Sequence, residues 1–433
     1  REIYNNDSIV MGSRQANKLI NSCSLCGLCE EVCPHDFAMQ DLCLEARKTM
    51  VRRGKMPPSA HEFTLLDMEF SRSDRFALAR HQPGHTTSAH VFFPGCQLCA
   101  SAPGQVRQVY DHLCRTFPDG MGLILGCCGA PAWWAGEEAG FQKEVDALRD
   151  KWISLGRPTM ILACSTCYKM FKENLTEIPI LSLWRILEPA DLPEAERPVG
   201  SVPLAVHDPC TTRHEPEIQQ SVRNLLDRLN QSVKELRLSR EKTECCGYGG
   251  LMQDANPALA KEVVARRAKE SELDYVTYCA VCRDNLAAAG KRTLHLLDLI
   301  FPDSADKDPA SRKRPGWSQR QENRARLKNE LLKEFWGEVG AEMEGHRKIV
   351  LHVASEVKAL LEERRVLVED LQKVIHHAET TGAKLVHPKT GHLKASFRPY
   401  KVTFWIEYSP SDDGYVVHNA YAHRMEVSGG TSS

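Results

Sequence analysis

Ten cysteines between residues 96 and 282 fall into two matching sets. The first is Cys96, Cys127-Cys128 and Cys164/Cys167; the second is Cys210, Cys245-Cys246 and Cys279/Cys282. Four more stand near the start at Cys23, Cys26, Cys29 and Cys33, directly before Pro34. Thiolates are soft donors that bind iron, zinc and copper, and thiols gathered this tightly read as metal ligands. A disulfide framework belongs to short exported chains. This chain has 433 residues with 17 cysteines, and its first twenty residues are polar and mixed, without a signal-peptide core. The expected setting is therefore a reducing cytoplasm. The first residue is Arg1 rather than Met, which suggests that the printed chain begins inside a longer reading frame or was trimmed.

The N-terminal run is the C-x2-C-x2-C-x3-C-P spacing of bacterial ferredoxins, and it predicts a [4Fe–4S] cubane held by Cys23, Cys26, Cys29 and Cys33. Gly27 lets the loop wrap, and Pro34 turns the chain away. Zinc is the weaker reading, because zinc sites pair two separate C-x2-C knuckles. In two-cluster ferredoxins the fourth cysteine of each run ligates the other cluster. Cys33 therefore either closes the single cubane or serves a motif upstream or on another subunit. Cys43 is a spare thiol, read as structural.

The two sets of five belong to a repeat spanning about 89 to 302, with first-to-last separations of 71 and 72 residues. Each leading cysteine follows an apolar strand-like run, Ala89–Phe93 or Leu204–Val206, and precedes helical pattern near 103–117 or 216–229. Each Cys-Cys-Gly precedes a second helical pattern, near 137–155 or 257–272; the latter opens with Asn256-Pro257, a cap followed by proline. Each C-x2-C follows an apolar run, Thr159–Ala163 or Asp274–Tyr278. Strands alternating with helices predict parallel sheets, with ligands beyond the carboxyl ends of the strands. Five thiols exceed what one cubane needs, and adjacent cysteines strain to meet one small ion, so a larger multi-iron cluster suits each set. Gly129, Gly247 and Gly249-Gly250 are expected to let the backbone approach it.

Two CCG units behind a ferredoxin motif resemble the catalytic subunit of heterodisulfide reductase, the B type or its D-type fusion, within a cysteine-rich CCG family. That family also includes iron–sulfur subunits of lactate, glycolate and glycerol-3-phosphate dehydrogenases. The resemblance covers residues 20–302, and none of the ten cysteines is missing. It implies one non-cubane [4Fe–4S] cluster on Cys96, Cys127, Cys128, Cys164 and Cys167 and a second on Cys210, Cys245, Cys246, Cys279 and Cys282. It further implies two clusters related by pseudo-two-fold symmetry, with a disulfide-type substrate between them being reduced or formed. Electrons would enter through the N-terminal cubane from a redox partner subunit, a flavoprotein or ferredoxin-like iron–sulfur protein. A cytoplasmic, anaerobic setting follows, peripheral to the membrane through a partner. The rival expectation is an electron-transfer subunit of a 2-hydroxy-acid or related dehydrogenase. A third is a non-catalytic interaction protein with structural clusters.

The remaining features are less specific. Arg213, His214, Lys169 and Arg283 follow cluster cysteines and are candidates for anion binding, weighed against ordinary charges. His207-Asp208-Pro209 is expected to shape the turn before Cys210. Trp133-Trp134 is a candidate cleft wall, weighed against core packing. Cys99 and Cys114 lack counterparts in the second unit and read as structural. Gly247-Tyr-Gly249-Gly250 is not a nucleotide fingerprint, since it follows a metal doublet. Lys+Arg 56 against Asp+Glu 57 provides no field for nucleic acid, and no apolar run is long enough to span a bilayer. The expected architecture is α/β: a ferredoxin-like helical head (1–80), CCG units at 88–195 and 200–302, a linker at 303–316, and a small α+β domain at 317–433 for docking a partner. In that last part a helix is expected at 318–336, a strand at Ile349–Val353, helices at Ser355–Arg364 and Glu369–Thr380, and a hairpin of Phe404–Tyr408 with Tyr415–His418. Its histidines (His376, His377, His387, His392, His418, His423) lack ligand spacing and read as surface residues.

Overall fold

The computed structural model describes residues 14–35, 37–56, 61–194, 202–339 and 345–425; the first thirteen residues of the expected head lie outside them. The head is helical, with helices at Arg14–Asn21, Leu28–Glu31, Met39–Arg52 and Glu62–Phe70. Two sheets follow. The first joins β1 (Leu78–Arg80), β2 (His90–Phe93), β3 (Met121–Leu125), β4 (Thr159–Leu162) and β5 (Ile180–Ser182) in the order β1-β3-β2-β4-β5. All of its pairings are parallel except β1 with β3. The second joins β6 (Leu204–His207), β7 (Val233–Glu235), β8 (Tyr275–Thr277) and β9 (Thr293–His295) in the order β7-β6-β8-β9, all parallel. The four-strand order therefore recurs, as the repeat in the sequence predicts.

The two copies differ where their sequences differ. β3 reads Met-Gly-Leu-Ile-Leu and is wholly buried because β1 covers its outer side. Its counterpart β7 reads Val-Lys-Glu and remains an edge strand. Polar, charged residues on an edge strand blunt its tendency to pair with other chains. One core runs through both sheets, from Val91, Phe92 and Phe93 to Leu225, Leu296 and Ile300.

The helix Trp317–Trp336 departs from the expected boundary. From Glu322 to Val339 the chain belongs to the larger unit. Leu327 and Leu331 are fully buried in its core, Arg324 meets Asp67, and the Asn323 amide donates to Ala100 O at 2.7 Å. The smaller unit holds 316–321 and 340 onward. Its sheet runs β10 (Leu351–Val353), β14 (Gly414–His423), β13 (Thr403–Ser411), β12 (Leu393–Phe397), β11 (Lys384–Val386), and helices Ser355–Arg364 and Val368–Thr381 supply its separate core. The predicted hairpin is β13/β14; strands β11 and β12 were not expected.

Candidate metal centres

In the first unit all five repeat cysteines sit at the carboxyl ends of parallel strands. Cys96 opens the helix Cys96–Ser101 after β2, and Cys127-Cys128 follow β3. Cys164 caps the helix Ser165–Asn174 after β4, so Cys167 lies on its first turn, facing the same way. The second unit repeats this with Cys210 after β6, and with Cys279 capping Ala280–Ala288 after β8. The loop from β7 to Cys245-Cys246 is longer.

These placements gather the sulfurs into two strings with the same order of contacts. The Cys96 thiol donates to the Cys127 sulfur at 3.6 Å, Cys127 to Cys128, and Cys167 to both Cys128 and Cys164. In the second unit Cys210 lies 3.9 Å from Cys245, Cys245 donates to Cys246, and Cys282 donates to both Cys246 and Cys279. The middle members are equivalent. Cys128 accepts from Cys127 and Cys167 and is lowered to about 6; Cys246 accepts from Cys245 and Cys282 and is lowered well below the ordinary thiol range. The donors Cys96, Cys127, Cys167 and Cys282 are raised by those same bonds and by burial. Ligating thiols must be thiolates. As thiolates, ten cysteines in a largely buried setting would need a multivalent cation, and the donor set fits a thiolate-bound iron cluster. Among the described residues no group of three or more His, Cys, Asp or Glu is arranged to hold a single metal ion. Five sulfurs linked one to the next also exceed the four donors that a tetrahedral ion takes.

The head loop lies against the second string. The Cys26 thiol donates to Cys245, and the Cys23 thiol donates to Cys43. Gly249 and Gly250 make this approach possible. A Cβ on Gly249 would stand 2.7 Å from Ser24 O, and one on Gly250, whose φ is +61°, would overlap Cys23 O. Gly129 and Gly247 both have positive φ, +79° and +83°, and the Gly247 N–H donates to the Cys245 sulfur at 3.3 Å. Gly129 faces Phe141 and Glu144, and Gly247 faces Ala260 and Val263, so both fit helix packing. The glycine whose Cβ side meets thiols is Gly95, with φ +84°, where a Cβ would sit 2.9 Å from Cys164 Cβ. Its signal in the sequence was the Pro94-Gly95 turn before Cys96.

Two buried arginines fasten the head loop. Arg47 is fully buried and donates to Cys23 O at 2.6 Å, Ile20 O at 3.0 Å, Trp134 O at 2.7 Å and Gly250 O at 2.8 Å. Nothing in the spacing pointed to it. Arg213 donates to Cys26 O at 3.1 Å, to Thr243 O at 2.8 Å and to Glu241 O, so it clamps backbone instead of offering an anion site. Arg283 is likewise spent on the carbonyls of Thr293, Pro309 and Arg312, and His214 is exposed. Asp208 anchors the turn before Cys210 through Arg223 at 2.5 and 2.8 Å and the Tyr278 hydroxyl at 2.8 Å. Cys99 is fully buried one turn beyond Cys96, and Cys114, raised by burial to about 11, packs beside Tyr110.

A cavity of roughly 270 Å³ opens where the head meets both units. Its wall includes Trp133, Trp134, Thr166, Lys169, Cys210 and Thr211, so Lys169 and both tryptophans border it. Of the ten repeat cysteines only Cys210 lines it. The tail histidines are committed elsewhere: His392 stacks on His418 at 3.9 Å and binds Glu407 at 2.7 Å, His418 meets Ser409 at 2.8 Å, and His377 stacks on Phe397.

His207 and His295, both buried in the second unit, are held by burial near pKa 3. The unfolded chain takes up the protons they refuse. Their contribution is therefore complete above about pH 6.5 and falls as pH drops towards 3, by about 1.4 kcal/mol per pH unit per histidine. Between pH 7.5 and 5.5 urea denaturation is expected to show a loss of about 3 kcal/mol from this pair, largely absent in a His207→Gln/His295→Asn double variant. An equal loss in that variant would reject the assignment.

Known families match these segments of the sequence. Residues 90–172 and 204–287 each match the cysteine-rich CCG domain, and residues 1–38 match a 4Fe-4S dicluster domain. The chain carries two cysteine-rich CCG domains behind a 4Fe-4S domain and is similar, at low identity, to iron–sulfur subunits of heterodisulfide reductase type. One subunit of the fumarate reductase (CoM/CoB) of Methanothermobacter marburgensis is 25% identical over 311 residues, 65% of this chain and 61% of that protein. One subunit of the dihydromethanophenazine:CoB–CoM heterodisulfide reductase of Methanosarcina barkeri is 24% identical over 313 residues, 62% of this chain and 72% of that protein. An uncharacterized iron–sulfur protein of Methanococcus maripaludis is 22% identical over 305 residues, 62% of this chain and 57% of its own length. The chain thus spans about six-tenths of the length of the first of these relatives. No helix among the described residues is long and apolar enough to cross a membrane.

Proposed function

We propose that this chain is the iron–sulfur subunit of a multi-subunit oxidoreductase that reduces, or forms, a disulfide-type substrate. The observation that supports it is the duplicated string of five thiols, four of them buried in each unit, at the carboxyl ends of equivalent strands. Cys96, Cys127, Cys128, Cys164 and Cys167 would hold one non-cubane [4Fe–4S] cluster, and Cys210, Cys245, Cys246, Cys279 and Cys282 its pseudo-symmetric partner. Cys23, Cys26 and Cys29 would hold the cubane of the head. When bound, such clusters supply single electrons and iron open to sulfur, and two together match the two electrons of a disulfide bond.

The protein's own part is positioning and exclusion of water. Cys210 presents the second set to the cavity, the Thr211 hydroxyl is held by Ser165 at 2.9 Å, and Trp133 and Trp134 give an organic sulfide an apolar wall. The Lys169 ammonium at the rim pairs with Glu173 at 3.7 Å, and Asp41 and Glu173 line the same cavity, so no unpaired positive charge marks a site for an anionic substituent there. The Cys26–Cys245 contact favours entry of electrons through the second unit. The smaller unit is assigned to docking a flavoprotein or ferredoxin-like partner. One relative is named for a fumarate reductase with CoM and CoB and another for a heterodisulfide reductase, so either direction is included.

The test is EPR of the oxidised protein after addition of a small thiol. A new thiol-dependent paramagnetic signal is expected, and it should vanish in Cys245→Ser. A protein that gives no thiol-dependent signal, yet is reduced by a 2-hydroxy-acid dehydrogenase partner, would instead be an electron-transfer subunit.

A further inference from the structure

Trp134 lies on the helix Ala130–Ala135, which follows the first Cys-Cys-Gly, and it borders the cavity. Its indole crosses to the second unit. It meets the Tyr248 ring in a T-shaped contact at 6.4 Å, and it packs against the buried cluster that Tyr248 and Val281 form with Cys246, Cys279 and Cys282. Those three cysteines do not line the cavity, whereas Cys210 does. The indole of one unit is therefore the layer between the cavity and the thiols of the other. Its backbone is pinned, because the Trp134 carbonyl accepts from Arg47 at 2.7 Å. Trp133 also borders the cavity but is held differently, under the Lys48 ammonium at 4.4 Å and against Phe141 at 4.9 Å.

We infer that Trp134 is a specificity-determining residue. It closes the second string to bulky sulfur compounds and leaves the approach at Cys210 to a slender one, an organic thiol or disulfide unbranched at the carbon that bears sulfur. This rests on the reading that the second string holds a cluster to which a substrate sulfur binds. A large, rigid aromatic side chain suits the task, since it fills the space beside the thiols with few rotatable bonds to order.

The test uses the full chain, purified without oxygen and oxidised, titrated with ethanethiol or with 2-methyl-2-propanethiol. Both thiols are uncharged, and they differ in branching next to sulfur. The thiol-dependent EPR signal is assigned to the second string by its loss in Cys245→Ser. In the wild type the branched thiol is expected to need at least about tenfold more than ethanethiol for half of the signal, the scale of discrimination that an extra methylene meets in a fitted apolar pocket. Trp134→Ala is expected to bring the two thiols to within about threefold, below that scale. Trp134→Phe is expected to fall between, and Trp133→Ala to keep the wild-type ratio. Should Trp134→Ala fail to fold, Trp134→Phe against Trp133→Ala decides. A wild-type ratio retained in the Trp134 variants would overturn the inference. An equal fall in Trp133→Ala would overturn it too, by showing a general loosening of the wall. No signal with either thiol in the wild type would instead reject the reading of the second string as a substrate-binding cluster.

Discussion

Replacing Gly250 by alanine is expected to dislodge the head loop from the second CCG unit. The added Cβ would overlap the Cys23 carbonyl oxygen and stand 2.9 Å from the Ser24 carbonyl carbon, both of them backbone atoms that cannot swing away. Positive φ at this position adds strain of about 1 kcal/mol or more, and overpacking in a tight contact adds about 1–3 kcal/mol. The Arg47 bond to Gly250 O is disturbed at the same point. A total loss of about 3 kcal/mol is expected in urea unfolding, with slower reduction of the second-unit cluster when electrons enter through the head. Gly290→Ala is the control. Its φ is +83° with nothing within 4 Å of the added Cβ, so only the cost of the backbone conformation, about 1 kcal/mol, is expected. Equal effects for the two variants would show that Gly250 acts through its backbone conformation alone and that the tight approach of the head is unimportant.

Changing Cys246 to serine is expected to remove about four irons per chain, one cluster's worth, and to lower disulfide turnover by at least a hundredfold, since even partners outside the ligand set cost about 10–100-fold. Cys246 receives hydrogen bonds from Cys245 and Cys282, so its loss opens the string at its centre. Cys128→Ser should do the same in the first unit, where Cys127 and Cys167 converge. Cys114→Ser, beside Tyr110 and away from both strings, should keep all its iron. Iron analysis with turnover assays on the three variants checks this. Full turnover in Cys128→Ser would mean that the first unit does not take part in the reaction.

Much of this was legible in the sequence because both signals are local. The cysteine spacing fixes which strand ends carry thiols, and β2, β4, β6 and β8 are short apolar runs directly before them. Other features depend on contacts far apart in the chain. Arg47 and Gly250 meet across 203 residues, and Arg213 reaches Cys26 across 187. No periodicity marks such residues, so in the sequence Arg213 is an anion-binding candidate weighed against an ordinary charge, and Arg47 carries no signal. The placement of the helix Trp317–Trp336 hid for the same reason. Its apolar stripe was visible, but its partners lie in the first unit, where Phe335 and Trp336 pack on Tyr110. Strand β11 exposes Leu385 and Val386 and β12 exposes Lys394, with only partial alternation, so the pairing of β12 with β13 and of β11 with β12, more than propensity, makes them strands.

The central claim is that both strings of five thiols hold multi-iron clusters in addition to the one in the head. Iron quantitation with Mössbauer spectroscopy on the anaerobically purified chain tests it most directly. About 12 irons per chain, in three four-iron clusters, is the expected result. About 4 irons accompanied by bound zinc would contradict it.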